Sequence, residues 1–168
     1  MYSFFGYADI MPIDGLKITL NGTLPSYDAR GTDATQPFYG YSRTAYPTGF
    51  VSRSSDQTYS YNFQQLVNYH HDFGHHHMEI LLGHEFYRSR YENLFGTKTG
   101  MASYFTNQTL AGAIKLDKTG ESGNSAYESE GFFARGQYDY DQKYFGSLSY
   151  RRDASSRFDP DHRWGNFY

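Results

Sequence analysis

The sequence predicts an all-β fold: an antiparallel meander of about six strands in three hairpins, forming part of a transmembrane β-barrel. Three observations lead there. Aromatic residues make up 20% of the chain (18 Tyr, 14 Phe, 1 Trp), yet the mean hydropathy is −0.75. Apolar and polar residues alternate with a period of two. Short and long connections alternate along the chain. Rings with a polar tip favour strands and boundaries between apolar and wet surroundings. A barrel strand averages out as polar because only every second side chain faces hydrocarbon.

The alternation places each strand. Near the start, Leu16, Ile18, Leu20, Gly22 and Leu24 oppose Lys17, Thr19, Asn21 and Thr23. Further on, Tyr59, Tyr61, Phe63, Gln65, Val67 and Tyr69 oppose Ser60, Asn62, Gln64, Leu66, Asn68 and His70. Met78, Ile80, Leu82, His84 and Phe86 oppose the more polar set His77, Glu79, Leu81, Gly83 and Glu85. Phe132, Ala134, Gly136, Tyr138 and Tyr140 oppose Phe133, Arg135, Gln137 and Asp139. Residues 4–11 and 144–152 are strand-like with weaker alternation. The first-named face is the lipid-facing one: Leu16, Ile18, Leu20, Tyr59, Tyr61, Phe63, Met78, Ile80, Leu82, Phe132 and Tyr138 are its expected members.

Asp14-Gly15, Asp72-Phe73-Gly74 and Asp141-Gln142 supply short turns. Asp-Gly is favoured where both central residues need φ > 0. The polar stretches at residues 29–55 and 91–126, with another from Asp153, read as long loops. Short turns on one side and long loops on the other match short periplasmic turns and long extracellular loops. Tyr69, Tyr138, Tyr140 and Tyr144 crowd the short-turn end as an aromatic girdle.

Composition excludes several functions. With no cysteine there is no disulfide framework, thiolate metal site or cysteine nucleophile. A net charge of −3 gives no basic field for nucleic acid. Catalytic signatures such as G-x-S-x-G, the P-loop and G-x-G-x-x-G are missing, so no enzyme is expected. "HEFYR" fails the H-E-x-x-H pattern at Arg88, and His84 and Glu85 point to opposite faces.

Six of the seven histidines lie within residues 70–87. His70, His71, His75, His76 and His77 flank a tight turn, and consecutive strand residues cannot converge on one ion. The cluster reads as an interfacial turn rather than a metal site, with His70 and His77 the pair best placed to meet. "DPDHRWG" (residues 159–165) spaces carboxylates two apart, but a calcium loop of the EF-hand kind wants Gly where Trp164 stands. Neither metal nor cofactor is expected. Arg151, Arg152, Arg157 and Trp164 are the expected substrate or loop contacts; the competing reading is an ion-pair network fixing the strand end, with Trp164 as an interfacial anchor.

Specific motifs carry a family resemblance. "YDYDQKY" (residues 138–144), "RRDASSRF" (151–158) and "RWGNF" (163–167) resemble a barrel stretch of the SusC/RagA family of TonB-linked outer-membrane proteins. "NFQQLVNYHHDFGHHHMEILLGHE" (62–85) is similar to the family's preceding hairpin, and "GYADIMPIDGLKITLNGTL" (6–24) fits the hairpin before that. Ala154 and Asp159 depart from the pattern, where glycine is usual. The resemblance implies a partial TonB-dependent receptor barrel over residues 1–168, drawn from a barrel of about 22 strands, without plug domain, TonB box or signal peptide. "WGNFY" is where such a chain enters another strand, so Tyr168 is expected to be a truncation. The implied function is import of a glycan, oligosaccharide or peptide across the outer membrane of a Gram-negative bacterium. Outer-membrane lipid, a SusD-like surface lipoprotein and TonB are the implied partners. The alternatives are a soluble all-β binding module with the ring-rich face as its core, and a His-cluster metal-binding protein.

Overall fold

The computed structural model describes residues 1–37, 48–101 and 107–168, with the side chains of 116–119 left aside. Seven strands form one sheet in the order β1-β2-β3-β4-β5-β6-β7. They are β1 (Tyr2–Ile13), β2 (Leu16–Thr35), β3 (Phe50–Phe73), β4 (His76–Met101), β5 (Ala113–Tyr140), β6 (Tyr144–Ser155) and β7 (Trp164–Phe167). Every strand pairs with its neighbour in sequence, which defines a meander with β1 and β7 at its edges. Two single-turn 3₁₀ helices, Leu110–Gly112 and Pro160–His162, interrupt the strands.

The expected hairpins are present, and the "WGNFY" stretch forms the seventh strand. The polar stretches expected as loops differ: much of 29–55 and 91–126 is strand. β3 runs for 24 residues, β4 for 26 and β5 for 28. The reason is physical. Hydropathy alternates only where one face meets an apolar medium and the other does not. Farther along, polar residues are interspersed on both faces and the only buried apolar cluster among the described residues is small, yet the backbone ladder pairs as well with Ser, Thr and Asn as with rings.

The turns divide by chemistry. Gly15 adopts φ 77°, and a Cβ there would meet the His70 carbonyl oxygen at 2.3 Å. Asp14 is not in the left-handed region, so the expectation of two positive φ values fails at this turn. It holds instead at Asp141 and Gln142, with φ 54° and 56°. There the Lys143 N–H donates to the Tyr140 carbonyl (3.0 Å), and the Asp139 carboxylate accepts from the Gln142 N–H (2.8 Å).

Two compact units emerge from the fold. The first comprises Met1, Ser26–Thr58 and Arg90–Ser125. Its small core is Val51, Met101 and Ala113, with Ala34 and Leu110 packed against them. Tyr91 donates to Asp56 at 2.6 Å, and Thr97 to Ser52 at 3.1 Å. The second comprises Tyr2–Pro25, Tyr59–Ser89 and Ala126–Tyr168 and holds nearly all the alternating segments.

In the second unit the β5–β6 register sorts side chains into two rows. One pairs Phe132 with Arg152, Ala134 with Tyr150, Gly136 with Leu148, Tyr138 with Gly146 and Tyr140 with Tyr144. The other pairs Phe133 with Arg151, Arg135 with Ser149, Gln137 with Ser147 and Asp139 with Phe145. Contacts extend the first row across the unit. Tyr61 meets the Phe86 ring at 5.7 Å, His84 stacks on Phe132 at 4.6 Å, and Gly22 borders Phe63. This face carries the rings. The opposite face carries Asn21–Gln64, Asn68–Glu79 and Thr19–Asp9 hydrogen bonds.

The ring-rich face is not sealed within a core. Phe63 is 42% exposed, Tyr138 43% and Leu148 77%. Among the described residues the buried hydrophobics are only Val51, Met101 and Ala113. Water-soluble monomers rarely leave so continuous an apolar surface uncovered.

Candidate functional site

Two surfaces of the second unit carry chemistry, one on each face. On the polar face Arg151 sits between two carboxylates. Its Nε donates to both Asp153 oxygens, at 2.9 and 2.7 Å, and its Nη2 lies 3.7 Å from Glu85. Gly131 makes the arrangement fit: a Cβ there would stand 2.4 Å from Asp153 Oδ1. Arg151 also lies over the Phe133 ring, 5.5 Å from its centre. Phe133 in turn covers Gly83, where an added Cβ would meet the ring at 2.1 Å. An aromatic ring laid over a cross-strand glycine fills the space that the missing side chain leaves.

Arg151, Asp153, Glu85 and Gly131 border a cavity of about 490 Å³, together with Ser129, Phe158, Arg163 and Phe167. Its chemistry is mixed: a guanidinium flanked by carboxylates, with rings at the rim. Such a lining suits a ligand bearing both charges and apolar groups. The pairs are half-exposed, so each contributes only about 0–1 kcal/mol to stability. Their geometry matters more than their energy.

The four residues expected to contact substrate do not come together. Arg151 lies in the cavity. Arg152, one residue on, belongs to the opposite row and lies 4.8 Å over the Trp164 ring. Trp164 borders the cavity but stacks its ring on Phe132 at 6.0 Å, on the ring-rich side. Arg157 lies 4.7 Å over Tyr127. Alternation separates what adjacency in sequence suggested. Glu85 and Gly131 were missed as members of the site, and so was Phe133, which lies beneath Arg151. A usable signal was present: glycine and a ring on the polar row of neighbouring strands.

On the ring-rich face a polar set interrupts the apolar row. His84 hydrogen-bonds Gln65 through Nδ1 (2.8 Å) and Glu130 through Nε2 (2.9 Å). Gln65 and Glu130 are each polar at an apolar position, and they find a common partner in His84. Glu85, beside it in sequence, faces the other way, toward Asn62 and Arg151.

At the short-turn end the rings form a chain. Tyr69 stacks on His71 (6.2 Å), His71 on Phe73 (5.7 Å), Phe73 on His76 (4.8 Å), and His76 meets Tyr140 (4.9 Å). Tyr140 continues to Tyr144 at 6.5 Å. His71, His75 and His76 are thus members of this run of rings. His75 pairs with Asp141 at 3.1 Å and His77 with Asp72 at 2.8 Å, while His70 donates its backbone N–H to Gly15. Among the described residues, no three His or carboxylate side chains converge on a common point. In the "DPDHRWG" stretch, the Asp159 carboxylate caps the 3₁₀ helix by accepting the Asp161 N–H at 3.1 Å.

An open antiparallel meander with most of its rings on one face and most of its polar groups on the other is the form of a section of a larger barrel's wall. Neither a family model nor a curated protein matches the chain. Solved structures do. The chain is similar to the RagAB peptide transporter at 24% identity, covering 98% of this chain with a TM-score of 0.89. It is likewise similar to the RagAB peptide importer in its closed-closed state (23% identity, 98% covered, TM-score 0.89) and its open-open state (25%, 99%, 0.89). In each case it spans 18% of the solved chain's length. The fold is that of a partial SusC/RagA barrel, as the sequence motifs imply.

Proposed function

We propose that this chain is a section of the barrel wall of a TonB-dependent transporter in the outer membrane of a Gram-negative bacterium. The observation that carries the reading is the two-row register of β5 and β6: one row is mainly rings and small apolar residues, and the other carries Arg151, Arg135, Gln137, Asp139, Ser147 and Ser149 with only Phe133 and Phe145 among them. The similarity to the RagAB importers supports it. Leu16, Ile18, Leu20, Tyr59, Tyr61, Phe63, Met78, Ile80, Leu82, Phe132 and Tyr138 meet lipid. The polar face lines the passage. A SusD-like lipoprotein at the surface and TonB at the periplasmic side are its partners.

Among the substrates considered, a peptide fits better than a glycan. Arg151 between Glu85 and Asp153 offers complementary partners for the ammonium, carboxylate and amide groups of a peptide, and Phe158 and Phe167 offer apolar contact. The solved structures of similar fold are peptide importers. A soluble β-module is disfavoured by the exposure of Phe63 and Tyr138.

Cysteine scanning tests the orientation. Cysteines at Phe63, Leu20 and Tyr138 should resist a charged maleimide in intact outer membranes, and cysteines at Asn62 and Ser147 should react once the barrel interior is open to the reagent. The reverse pattern, or a protein recovered entirely in the soluble fraction, defeats the proposal. Growth on peptides or on oligosaccharides as sole nutrient, with the gene deleted and restored, separates the two substrates.

A further inference from the structure

One guanidinium on the ring-rich row has no carboxylate partner among the described residues. It belongs to Arg152, which is exposed and lies 4.8 Å over the Trp164 ring. Its sequence neighbour Arg151 faces the other way and takes Asp153 and Glu85. The carboxylates nearest on the same row are engaged elsewhere: Glu130 with His84 at 2.9 Å, and Glu128 with Arg88 at 3.0 Å. In the β5–β6 register from residue 132 to the turn, Arg152 is the one charged residue in a row otherwise made of Phe132, Ala134, Tyr150, Gly136, Leu148, Tyr138, Gly146, Tyr140 and Tyr144.

The guanidinium carbon stands over the indole, and a guanidinium held there engages the ring with its face. That leaves the N–H donors at the edge free for a bidentate acceptor. A second donor stands beside it. Asn166 is the cross-strand partner of Arg152, and its Oδ1 accepts from the Tyr150 hydroxyl at 2.8 Å. That bond fixes the amide and leaves its NH₂ to donate. Two fixed donor groups beside one positive charge suit a phosphoryl oxygen pair.

Position along the strand says where such a group would come from. Arg152 lies eight residues beyond Tyr144, or about 26 Å along the strand at ~3.3 Å per residue. At a tilt of about 40° this is a rise of about 20 Å, near the top of an apolar band about 25 Å tall. The apolar row below it, with Leu148 and Tyr150, is continuous with the guanidinium.

We propose that Arg152, Asn166 and Trp164 hold the phosphoryl headgroup of an outer-leaflet lipid against the outside of the wall, with its acyl chains along Tyr150 and Leu148. This rests on the membrane-barrel reading given above. Free phosphate shares the headgroup chemistry but gains nothing from the apolar row.

The test uses the complete barrel that carries this chain, purified in mild detergent. It is titrated with bis-phosphorylated lipid A, with the dephosphorylated lipid, and with inorganic phosphate, and bound ligand is counted by native mass spectrometry. Bis-phosphorylated lipid should bind at least tenfold more tightly than the dephosphorylated form. Arg152→Gln should remove about a tenfold share of that preference, Arg152→Lys less, and Asn166→Leu an intermediate amount. Heat-modifiable migration on gels monitors folding of each variant. Equal binding of the two lipids to the unaltered protein overturns the proposal, even if every variant misfolds. So does unchanged preference in folded Arg152→Gln, or inorganic phosphate bound as tightly as the lipid. A protein that never enters the outer membrane instead defeats the barrel reading.

Discussion

Replacing Gly83 with alanine tests how the polar face is built. The new Cβ would lie 2.1, 2.4 and 2.5 Å from three atoms of the Phe133 ring. Ordinary carbon contacts begin near 3.5 Å, so the ring must retreat by about 1.4 Å or leave its rotamer. Overpacking of this kind costs about 1–3 kcal/mol. Arg151 lies over the same ring, so its position between Asp153 and Glu85 shifts with it. Phe133→Ala removes the obstacle along with a cross-strand contact worth about 0.2–1 kcal/mol. The two substitutions should therefore be non-additive: Gly83→Ala should cost far less in a Phe133→Ala background. The assay is a double-mutant cycle on the folded barrel in micelles, with unfolding followed in urea. A coupling below about 0.5 kcal/mol, the limit expected of independent sites, would refute the claim that the ring occupies the space above Gly83.

Three further outcomes follow from particular contacts. His84→Phe leaves Glu130 and Gln65 without their shared partner on the apolar face and should destabilise the barrel by about 1–3 kcal/mol. Adding Glu130→Leu should recover most of the loss in the same urea titration, whereas no recovery means that the His84 pairing does not hold Glu130. Gln142→Gly relieves a side chain held at φ 56° and should slow unfolding, a gain of up to about 1 kcal/mol; faster unfolding would contradict the left-handed turn. His76→Asn breaks the ring chain between Phe73 and Tyr140 and should cost about 0.5–1.5 kcal/mol, while on the transporter reading proposed above His75→Asn and His77→Asn should leave uptake unchanged. Loss of stoichiometric zinc together with uptake in the His75→Asn/His77→Asn pair would restore the metal reading.

Much of the fold was legible in the residues, for a reason that also limits what could be read. Where one face meets an apolar medium, side chains must alternate, and the segments around Tyr59, Met78 and Phe132 carry that record. The turns were marked by Asp14-Gly15, Gly74 and Asp141-Gln142. The outer parts of β2–β5 left no such record, because Ser, Thr and Asn serve equally on strands and in loops. The candidate site was only partly legible. Arg151 was found, but its neighbour Arg152 was assigned to the same group although their side chains leave the strand in opposite directions.

The amino-acid sequence alone determined the strand period in the alternating segments and the three short turns at which the chain reverses. These follow from local geometry and from the medium each side chain must meet. Only the tertiary structure decided register, and with it that Phe133 lies over Gly83, that Arg151 reaches Glu85, and that Gln65, His84 and Glu130 join across three strands. Such pairings depend on which residue of one strand stands opposite which residue of another, and no run of residues read by itself contains that alignment.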